Sequence, residues 1–196
     1  MHASDSLAET AVKLKKAGTI GVLPTDTVYG LVARAADPEA VIRLYDLKLR
    51  EHKPGTIIAA TIEQLVELGI KYRYLKAVEQ FWPGAVSVII PCANPELAYL
   101  HLGKQSLAVR IPGDSKLREL LAQTGPLLTS SANHPNEPTA VTTAQAEAYF
   151  GTKVDFYVDG GDLSAREPST IIRIVDDAIE VIRPGAVPIP DAQKAE

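Results

Sequence analysis

The sequence contains a single cysteine, Cys92, and no long apolar run among its 196 residues. One cysteine excludes an internal disulfide and a cysteine-based zinc site. No apolar segment approaches the ~18–20 residues that a membrane span needs. The lysines near the N terminus lie beside an amphipathic pattern rather than ahead of an apolar segment, which is not the pattern of a signal peptide. We therefore expect a cytoplasmic protein that does not associate with a membrane.

The chain also lacks an excess of positive charge. Its 20 lysines and arginines against 24 aspartates and glutamates give a net charge of −4. The surface as a whole therefore does not attract nucleic acid, although a local basic patch can exist within it. A content of 46% hydrophobic and 22% charged residues suits one globular domain with a substantial core. We predict a single domain over residues 1–189 and a short polar tail over residues 190–196.

The sequence has none of the short motifs that mark common phosphate, metal or nucleophile sites. It contains no Gly-x-x-x-x-Gly-Lys-Ser/Thr loop, no Gly-x-Gly-x-x-Gly, no His-Glu-x-x-His and no Gly-x-Ser-x-Gly. The four histidines, at positions 2, 52, 101 and 134, have no metal-ligand spacing. Any nucleotide chemistry in this chain therefore needs a phosphate site built from side chains.

Hydrophobic periodicity and capping residues predict helices that alternate with strands. The predicted helices cover residues 6–17, 38–47, 61–68, 71–81, 115–123 and 142–150. The predicted strands cover residues 19–23, 56–60, 85–90, 106–111, 126–129, 154–158, 170–175 and 178–182, and Asp176-Asp177 joins the last two as a hairpin. Because helices and strands interleave early and a hairpin comes late, we predict an α/β domain with a mixed, twisted sheet.

A polar stretch, Pro24-Thr-Asp-Thr-Val-Tyr-Gly-Leu31, follows the first predicted strand. Pro24 removes a backbone donor and ends the strand ladder. Two interpretations fit the residues after it. They form an Asx-type turn that only reverses the chain, or a strand-end loop with ligand-binding side chains, which is the usual place for a site in an open α/β sheet.

Three cations, Lys48, Arg50 and Lys53, lie within six positions at the end of the second helix, with His52 among them. They complement the partial negative charge of a helix C terminus or they bind an anion. Residues two apart on a helix do not share a face, so Lys48 and Arg50 converge only if the helix has unwound there. Pro54 favours an extended conformation for Lys53. A frayed helix end would let all three cations converge on one polyphosphate.

Other polar groups fall at predicted strand ends. Thr129-Ser130-Ser131-Ala132-Asn133 forms a hydrogen-bonding rim or a polar turn. Arg110 lies in an otherwise apolar strand, and a buried arginine needs an anionic partner, either an internal carboxylate or a carboxylate ligand. The segments Pro168-Ser169-Thr170 and Arg183-Pro-Gly185 each place a polar or cationic group at a strand end.

Seven of these segments, taken in order, resemble the YrdC-like family, whose best-known members are the TsaC-type threonylcarbamoyl-AMP synthases. The resemblance spans residues 18–185 and implies a single twisted α/β domain with a concave basic site. The matching segments are Pro24-Thr-Asp-Thr-Val-Tyr-Gly-Leu31, Lys48-x-Arg50-x-x-Lys53-Pro54, Phe81-Trp-Pro-Gly84, Leu107-Ala-Val-Arg-Ile-Pro112, Ser130-Ser-Ala-Asn133, Pro168-Ser-Thr170 and Arg183-Pro-Gly185.

The resemblance also implies a reaction. The family condenses L-threonine, bicarbonate and ATP to threonylcarbamoyl-AMP and pyrophosphate, with Mg²⁺ held mainly by the phosphates. A separate tRNA threonylcarbamoyl transferase complex then uses the product to modify adenosine 37 of tRNAs that read ANN codons. Weak binding of tRNA or other RNA is a further expectation.

By the same resemblance, each candidate side chain has an implied role. The nucleotide-binding residues would be Lys48, Arg50, Lys53, Ser131, Asn133 and Arg183, and the three from the basic segment would also act in catalysis by stabilising the leaving pyrophosphate. The residues around L-threonine and the carbamate would be Thr25, Thr27, Tyr29, Arg110 and Ser169, with Arg110 on the threonine carboxylate. For Asp26 we expect a structural role.

The chain departs from the family pattern in three places. The usual Lys-Pro-Leu is Lys53-Pro54-Gly55, a histidine that some longer members carry is Ile58, and the usual Ser-Ala-Asn-x-Ser-Gly is Ser131-Ala-Asn-His-Pro-Asn136. The last change places a stiff proline where glycine would allow flexibility. Two alternatives therefore stay open: a non-catalytic RNA-binding paralogue, and a carbamoyl-adenylate chemistry such as the same domain performs within a hydrogenase-maturation protein.

Overall fold

The computed structural model describes residues 6–49, 53–176, 178–190 and 193–194. Its strands are β1 (Ile20–Pro24), β2 (Tyr29–Arg34), β3 (Thr56–Ile58), β4 (Val86–Pro91), β5 (Ser106–Arg110), β6 (Leu127–Ser131), β7 (Phe156–Tyr157), β8 (Thr170–Val175), β9 (Ala178–Arg183) and β10 (Gln193–Lys194). Its helices are α1 (Leu7–Leu14), α2 (Pro38–Leu47), α3 (Ile62–Glu67), α4 (Tyr72–Lys76), α5 (Ala98–His101), α6 (Ser115–Thr124) and α7 (Thr143–Phe150). Short 3₁₀ turns cover Glu79–Phe81, Pro95–Leu97 and Gly151–Lys153.

The strands form one ten-stranded sheet in the order β10-β9-β8-β4-β5-β3-β6-β2-β1-β7. The pairs β1–β7, β3–β5, β4–β8 and β9–β10 are parallel, and the others are antiparallel. The predicted mixed sheet with flanking helices is therefore confirmed. The predicted boundary of the domain at residue 189 stays a prediction.

Apolar side chains of the central strands pack on both faces of the sheet. In β2, Leu31 and Ala33 join the larger core cluster with α2, whereas Val32 joins a smaller cluster with α1 and α6. This alternation follows from the two-residue period of a strand. A strand covered on both faces reads as a continuous apolar run, which is why β2 showed no alternating pattern in the sequence.

The structure corrects several predicted boundaries. The segment from Tyr29 was predicted as loop, but it is strand β2. Helix α1 ends at Leu14 rather than at residue 17, and Gly18, with φ +71°, turns the chain after a short connection. The helix predicted over residues 71–81 divides into α4 and a 3₁₀ turn. The hairpin between β8 and β9 is confirmed, and Asp177 lies outside the described residues.

Capping side chains fix the helix starts as the sequence predicted. Asp37 accepts a hydrogen bond from the Ala40 amide at the start of α2, with Pro38 in the first turn. Thr142 caps α7 in the same way. No helix in the described ranges is both long and apolar enough to cross a membrane.

Candidate active site

The polar stretch after β1 both reverses the chain and lines a cavity. Pro24 pairs with Tyr29 at the end of the β1–β2 ladder, and residues 25–28 form the connecting loop. The cavity beside this loop has a volume of about 200 Å³, and we call it the hydroxyl cavity because of its lining. Its polar lining residues are Thr25, Thr27, Tyr29, Thr56, Arg110, Thr129, Ser130, Ser131, Ser169 and Arg183. All five residues predicted to surround L-threonine therefore line this cavity.

The loop hydroxyls have a fixed hydrogen-bond direction. The Thr25 hydroxyl donates its only hydrogen to the Val28 carbonyl at 2.6 Å. Its second close neighbour, the Thr27 hydroxyl at 2.9 Å, must therefore be the donor to Thr25. Because the Thr27 hydrogen is used in this way, only its lone pairs remain for a ligand. Thr27 can accept a hydrogen bond from an amine in the cavity.

Arg110 has the internal carboxylate partner that was one of its two predicted options. Its Nη1 lies 2.5 Å from Asp26 Oδ1, and the side chains of Arg110 and Asp26 are 3% and 8% exposed. The other oxygen of Asp26 accepts a hydrogen bond from the Gly113 amide at 3.0 Å. Asp26 therefore positions the guanidinium and the β5–α6 connection. This fits the structural role expected for it.

Two buried polar atoms of this region have no hydrogen-bond partner within the described chain, Arg110 Nε and Ser130 Oγ. Both residues line the hydroxyl cavity. An unpaired buried polar atom costs free energy, so these two atoms are candidates for ligand contacts. Arg110 was predicted as a site residue. Ser130 was not, although it stands in the run of hydroxyls that the sequence singled out.

The Tyr29 phenol is engaged away from the loop hydroxyls. Its oxygen donates to the Gly161 carbonyl at 2.9 Å and accepts from the Gly160 amide at 2.8 Å. Burial raises the pKa of Tyr29, which keeps the phenol protonated as this donor. The hydroxyl of Tyr29 thus fixes the 159–161 segment, and its contact with threonine stays a prediction.

The segments before β8 and at the end of β9 meet beside this hairpin and form another wall of the cavity. Arg183 Nη2 donates to the Ser169 carbonyl at 2.6 Å and lies 3.2 Å from the Ser169 hydroxyl. A Cβ on Gly185 would lie 2.2 Å from the Pro168 carbonyl oxygen, so only glycine permits this contact. The Ser169 hydroxyl also lies 3.0 Å from that of Ser87.

A second cavity of about 360 Å³ adjoins the first, and we call it the cationic cavity. Its lining residues are Lys48, Leu49, Lys53, Ser131, Asn133, Pro135 and Asn136. Ser131 lines both cavities. The structure therefore brings together the predicted basic segment and the predicted hydroxyl and amide rim. Arg50 and His52 lie outside the described residues.

Lys48 contacts the rim rather than pointing openly into the cavity. It is 3% exposed, and its ammonium donates to the Ser131 carbonyl at 2.9 Å, to Asn133 Oδ1 at 2.9 Å and to the Asn133 carbonyl. An ammonium has three donors, so these acceptors engage it strongly on the side of the rim. Lys48 lines the cavity while its ammonium contacts the rim, its direct contact with phosphate stays a prediction, and Lys53 is exposed at the cavity wall.

The altered loop after Asn133 keeps a defined turn. The Glu137 amide donates to the His134 carbonyl at 3.1 Å, Pro135 occupies the second turn position, and Asn136 occupies the third with φ +66°. This is the pattern of a type II turn, in which proline presets the first central residue and glycine or asparagine adopts positive φ at the next. Pro135 and Asn136 thus preserve a turn at the place where the expected Ser-Gly is absent.

Asn133 is the centre of this rim. Its Oδ1 accepts hydrogen bonds from the hydroxyl of Ser131 at 2.7 Å and from Lys48, and its Nδ2 donates to the Glu137 carbonyl at 2.6 Å. The Asn133 side chain is therefore held on both sides. Its fixed position shapes the rim that both cavities share.

Comparison with known proteins identifies relatives over almost the same length. The family model for Sua5, YciO and YrdC, described as telomere recombination, matches residues 13–185. A protein of Mycobacterium leprae (strain TN) is 34% identical over 187 residues, which cover 92% of this chain and 83% of that protein. The threonylcarbamoyl-AMP synthase of Stutzerimonas stutzeri (strain A1501) is 32% identical over 183 residues, which cover 92% of this chain and 98% of that protein.

Solved structures share the fold. The crystal structure of P. abyssi Sua5 complexed with L-threonine superimposes with a TM-score of 0.83 at 27% identity. The match covers 96% of this chain and 58% of that longer one. The crystal structure of E. coli YciO gives a TM-score of 0.80 at 20% identity, which is a likeness of fold. The predicted YrdC-like architecture is confirmed by these matches.

Proposed function

The chain belongs to the Sua5/YciO/YrdC family, and from that premise we propose that it is an L-threonylcarbamoyladenylate synthase. It would condense L-threonine, bicarbonate and ATP to threonylcarbamoyl-AMP and pyrophosphate. The observation that carries the proposal is the pair of adjoining cavities that meet at Ser131. One offers hydroxyls and a buried guanidinium to an amino acid, and the other offers cations to a polyphosphate.

L-Threonine fits the polar groups of the hydroxyl cavity. The lone pairs of Thr27 can accept from the amine, while Arg110 Nε and the Ser130 hydroxyl, both without a partner in the described chain, can donate to the carboxylate. Ser169 would close the far end beside Arg183. An amino acid bound in this way would have its amine and carboxylate fixed before the reaction.

The cationic cavity would hold the phosphates of ATP. Lys53 lines this cavity and, together with Arg50 of the same segment, would neutralise the β- and γ-phosphates, as the resemblance implies. The charge of Lys48 lies just behind the 131–133 rim. Arg183, which donates to Ser169 within one wall of the hydroxyl cavity, would lie near the nucleotide.

The proposed reaction needs positioning and charge neutralisation more than covalent help from the protein. The threonine amine adds to the carbon of bicarbonate, and loss of water gives the carbamate. A carbamate oxygen then attacks the α-phosphorus of ATP, a new oxygen–phosphorus bond forms, and the bond to pyrophosphate breaks. The protein would align the three substrates and stabilise the charge that develops on the leaving pyrophosphate.

We propose that Mg²⁺ enters as part of the MgATP substrate. The residues around the cationic cavity are two lysines, a serine, two asparagines, a leucine and a proline, a set that suits phosphate oxygens rather than a divalent cation. When bound, the ion would bridge phosphate oxygens and withdraw charge from them. Lys53 would act on the same phosphates from the protein side.

The proposal extends to the pathway of the product. Threonylcarbamoyl-AMP would pass to a tRNA threonylcarbamoyl transferase complex, which would attach the group to adenosine 37 of ANN-decoding tRNAs. The RNA-binding alternative is not favoured, and the net charge of −4 argues against a broad nucleic-acid surface.

Mass spectrometry of the products tests the proposal. Purified protein with MgATP, L-threonine and bicarbonate should yield threonylcarbamoyl-AMP and pyrophosphate, and omission of any one substrate should abolish both. Arg183→Met should reduce the rate by roughly tenfold or more, because a charge-assisted hydrogen bond is worth ~1.5–3 kcal/mol. Arg173→Met on neighbouring β8, whose partner is Glu180, is the matched control and should keep the full rate. Pyrophosphate release that continues without threonine would contradict the proposal.

A further inference from the structure

We infer that the last turn of α2 is a clamp, in which Tyr45 and Lys48 hold the two walls of the cationic cavity at a fixed spacing. One wall is the 131–136 rim, and the other is Lys53, from which the chain continues through Pro54 and Gly55 along the hydroxyl cavity. The inference rests on the proposed function, because it assigns these two positioning residues to the ATP-binding step.

Lys48 holds the rim. Its ammonium donates to the carbonyl oxygens of Ser131 and Asn133 and to the Asn133 side chain. The three acceptors are two backbone carbonyls and one side-chain amide oxygen of residues 131 and 133. One buried cation therefore fixes the path of the backbone through this part of the rim. Removal of the ammonium would take a donor from the partly buried carbonyl oxygens of Ser131 and Asn133, and only the Ser131 carbonyl would keep a second one, the Asn133 amide.

Tyr45 holds the opposite wall. Its phenol accepts a hydrogen bond from the Gly55 amide at 3.1 Å and donates to the Leu100 carbonyl at 2.8 Å. The hydrogen bond that the phenol donates to Leu100 in α5 fixes the orientation of its hydroxyl. The same oxygen accepts from the Gly55 amide and so fixes the position of the backbone directly after Lys53 and Pro54.

Gly55 is closely packed on its other side. A Cβ at this position would lie 2.7 Å from the Thr129 carbonyl oxygen of β6, so a side chain does not fit without a shift. The 53–55 segment is therefore held between a phenol of α2 and the strand that leads into the rim. This contact gives a physical reason for glycine at the position where the family usually has leucine.

The two clamp residues belong to one rigid element. Tyr45 and Lys48 are three positions apart at the end of α2, and side chains at this spacing lie on the same face of a helix. Both are at least 95% buried, and Leu44 between α2 and the sheet is completely buried. The spacing between the two walls is thus set by one helix turn that packs on the core. Neither residue needs to touch ATP to control how the phosphates fit.

Tyr45→Phe tests the first half of the clamp, with Tyr99→Phe as the matched control. The Tyr99 phenol also donates to a backbone carbonyl, that of Ala35 at 2.7 Å, but at the end of β2 away from the site. Both variants should lose thermal stability, Tyr45→Phe more than Tyr99→Phe, because the Tyr45 phenol makes two hydrogen bonds and the Tyr99 phenol makes one. Only Tyr45→Phe should raise the KM for ATP, by about three- to tenfold, as expected for one lost hydrogen bond. Equal KM values for Tyr45→Phe and wild type would overturn the clamp.

A double-mutant cycle tests whether the two residues act as one device. Lys48→Met should raise the KM for ATP more than Lys76→Met, which removes an ammonium that is 57% exposed. Because either change alone releases the spacing, Tyr45→Phe should have little further effect in the Lys48→Met background. If the two single-variant increases in the KM for ATP multiply in the double variant, the two residues act as independent contacts and there is no clamp. Amide hydrogen exchange of residues 131–137 should rise in Lys48→Met, and an unchanged rate there would also count against it.

The wild-type enzyme separates this inference from the proposed function. If wild type makes no threonylcarbamoyl-AMP, the proposed function fails before any variant is compared. If wild type is active and Tyr45→Phe matches Tyr99→Phe in KM, the clamp fails and the function stands. Tyr45→Phe keeps the test decisive even if Lys48→Met does not fold.

Discussion

The buried ion pair of Asp26 and Arg110 makes a sharp prediction for Asp26→Asn. The change keeps the shape of the side chain but removes the negative charge beside a guanidinium that is 3% exposed. Asparagine has one side-chain oxygen where aspartate has two. It therefore cannot offer separate oxygens to Arg110 and to the Gly113 amide. Loss of one member of a buried pair costs about 3–5 kcal/mol, because the other charge stays buried without compensation.

This loss of stability should be measurable as a fall in Tm. For a chain of 150–250 residues, about 1 kcal/mol lowers Tm by roughly 2–4 °C, so Asp26→Asn should lower it by about 6–20 °C. Urea unfolding of the same variant should give the free energy directly. Product formation should also fall, since Arg110 would lose its orientation toward the hydroxyl cavity.

Glu180→Gln is the matched control for this prediction. It makes the same carboxylate-to-amide change in the pair that Arg173 Nη2 forms with Glu180 Oε2 at 2.6 Å across β8 and β9. The Arg173 side chain is 48% exposed, so this pair should contribute at most about 1 kcal/mol. Asp26→Asn should lower the free energy of unfolding more than Glu180→Gln does. An equal or smaller loss would refute the reasoning, because burial would then not be what makes the Asp26–Arg110 pair important.

Two further predictions concern single residues outside that pair. Asn136 has φ +66°, so Asn136→Ala should cost about 1–2 kcal/mol in urea unfolding while Asn136→Gly should not; equal stability of the two variants would contradict the assigned turn. Burial raises the pKa of Tyr157 to about 12 from 10.0, so its contribution to stability is complete below pH 10 and is lost as the pH rises toward 12. Tyr157→Phe should therefore show a shallower fall of Tm between those pH values, and an alkaline limb identical to wild type would rule this out.

Local signals in the sequence predicted much of the fold. Capping residues act within one turn of their own helix, which is why Asp37, Thr61 and Thr142 located helix starts correctly. Helix ends depend on packing as well, and α1 and α4 stop earlier than their patterns indicated. Strand β2 was missed because both of its faces are buried, so no alternation of polar and apolar residues marks it.

The site was predicted as a set of residues but not as a set of contacts. The sequence indicated that Arg110 needs an anion, yet the partner proved to be Asp26, 84 positions away. Lys48 and Asn133 are 85 positions apart, and no local pattern links them. Such pairs depend on which strands become neighbours, and the order of the strands in the sheet follows from the packing of the whole chain rather than from any one segment.

Several side chains of the site are already held by protein partners before a substrate binds. Asp26 holds Arg110, and Lys48 holds the rim, so neither pair needs to reorganise when a ligand arrives. Among the polar groups of the hydroxyl cavity are an acceptor on Thr27 and two polar atoms without a partner in the described chain, Arg110 Nε and Ser130 Oγ. An acceptor opposite two donors complements the amine and carboxylate of an amino acid, but it leaves an amide or a neutral amine poorly paired. Since the protein groups are already oriented, binding energy need not be used to order them. A ligand that lacks either charge would leave polar atoms of the cavity buried and unpaired, and this cost discriminates against it.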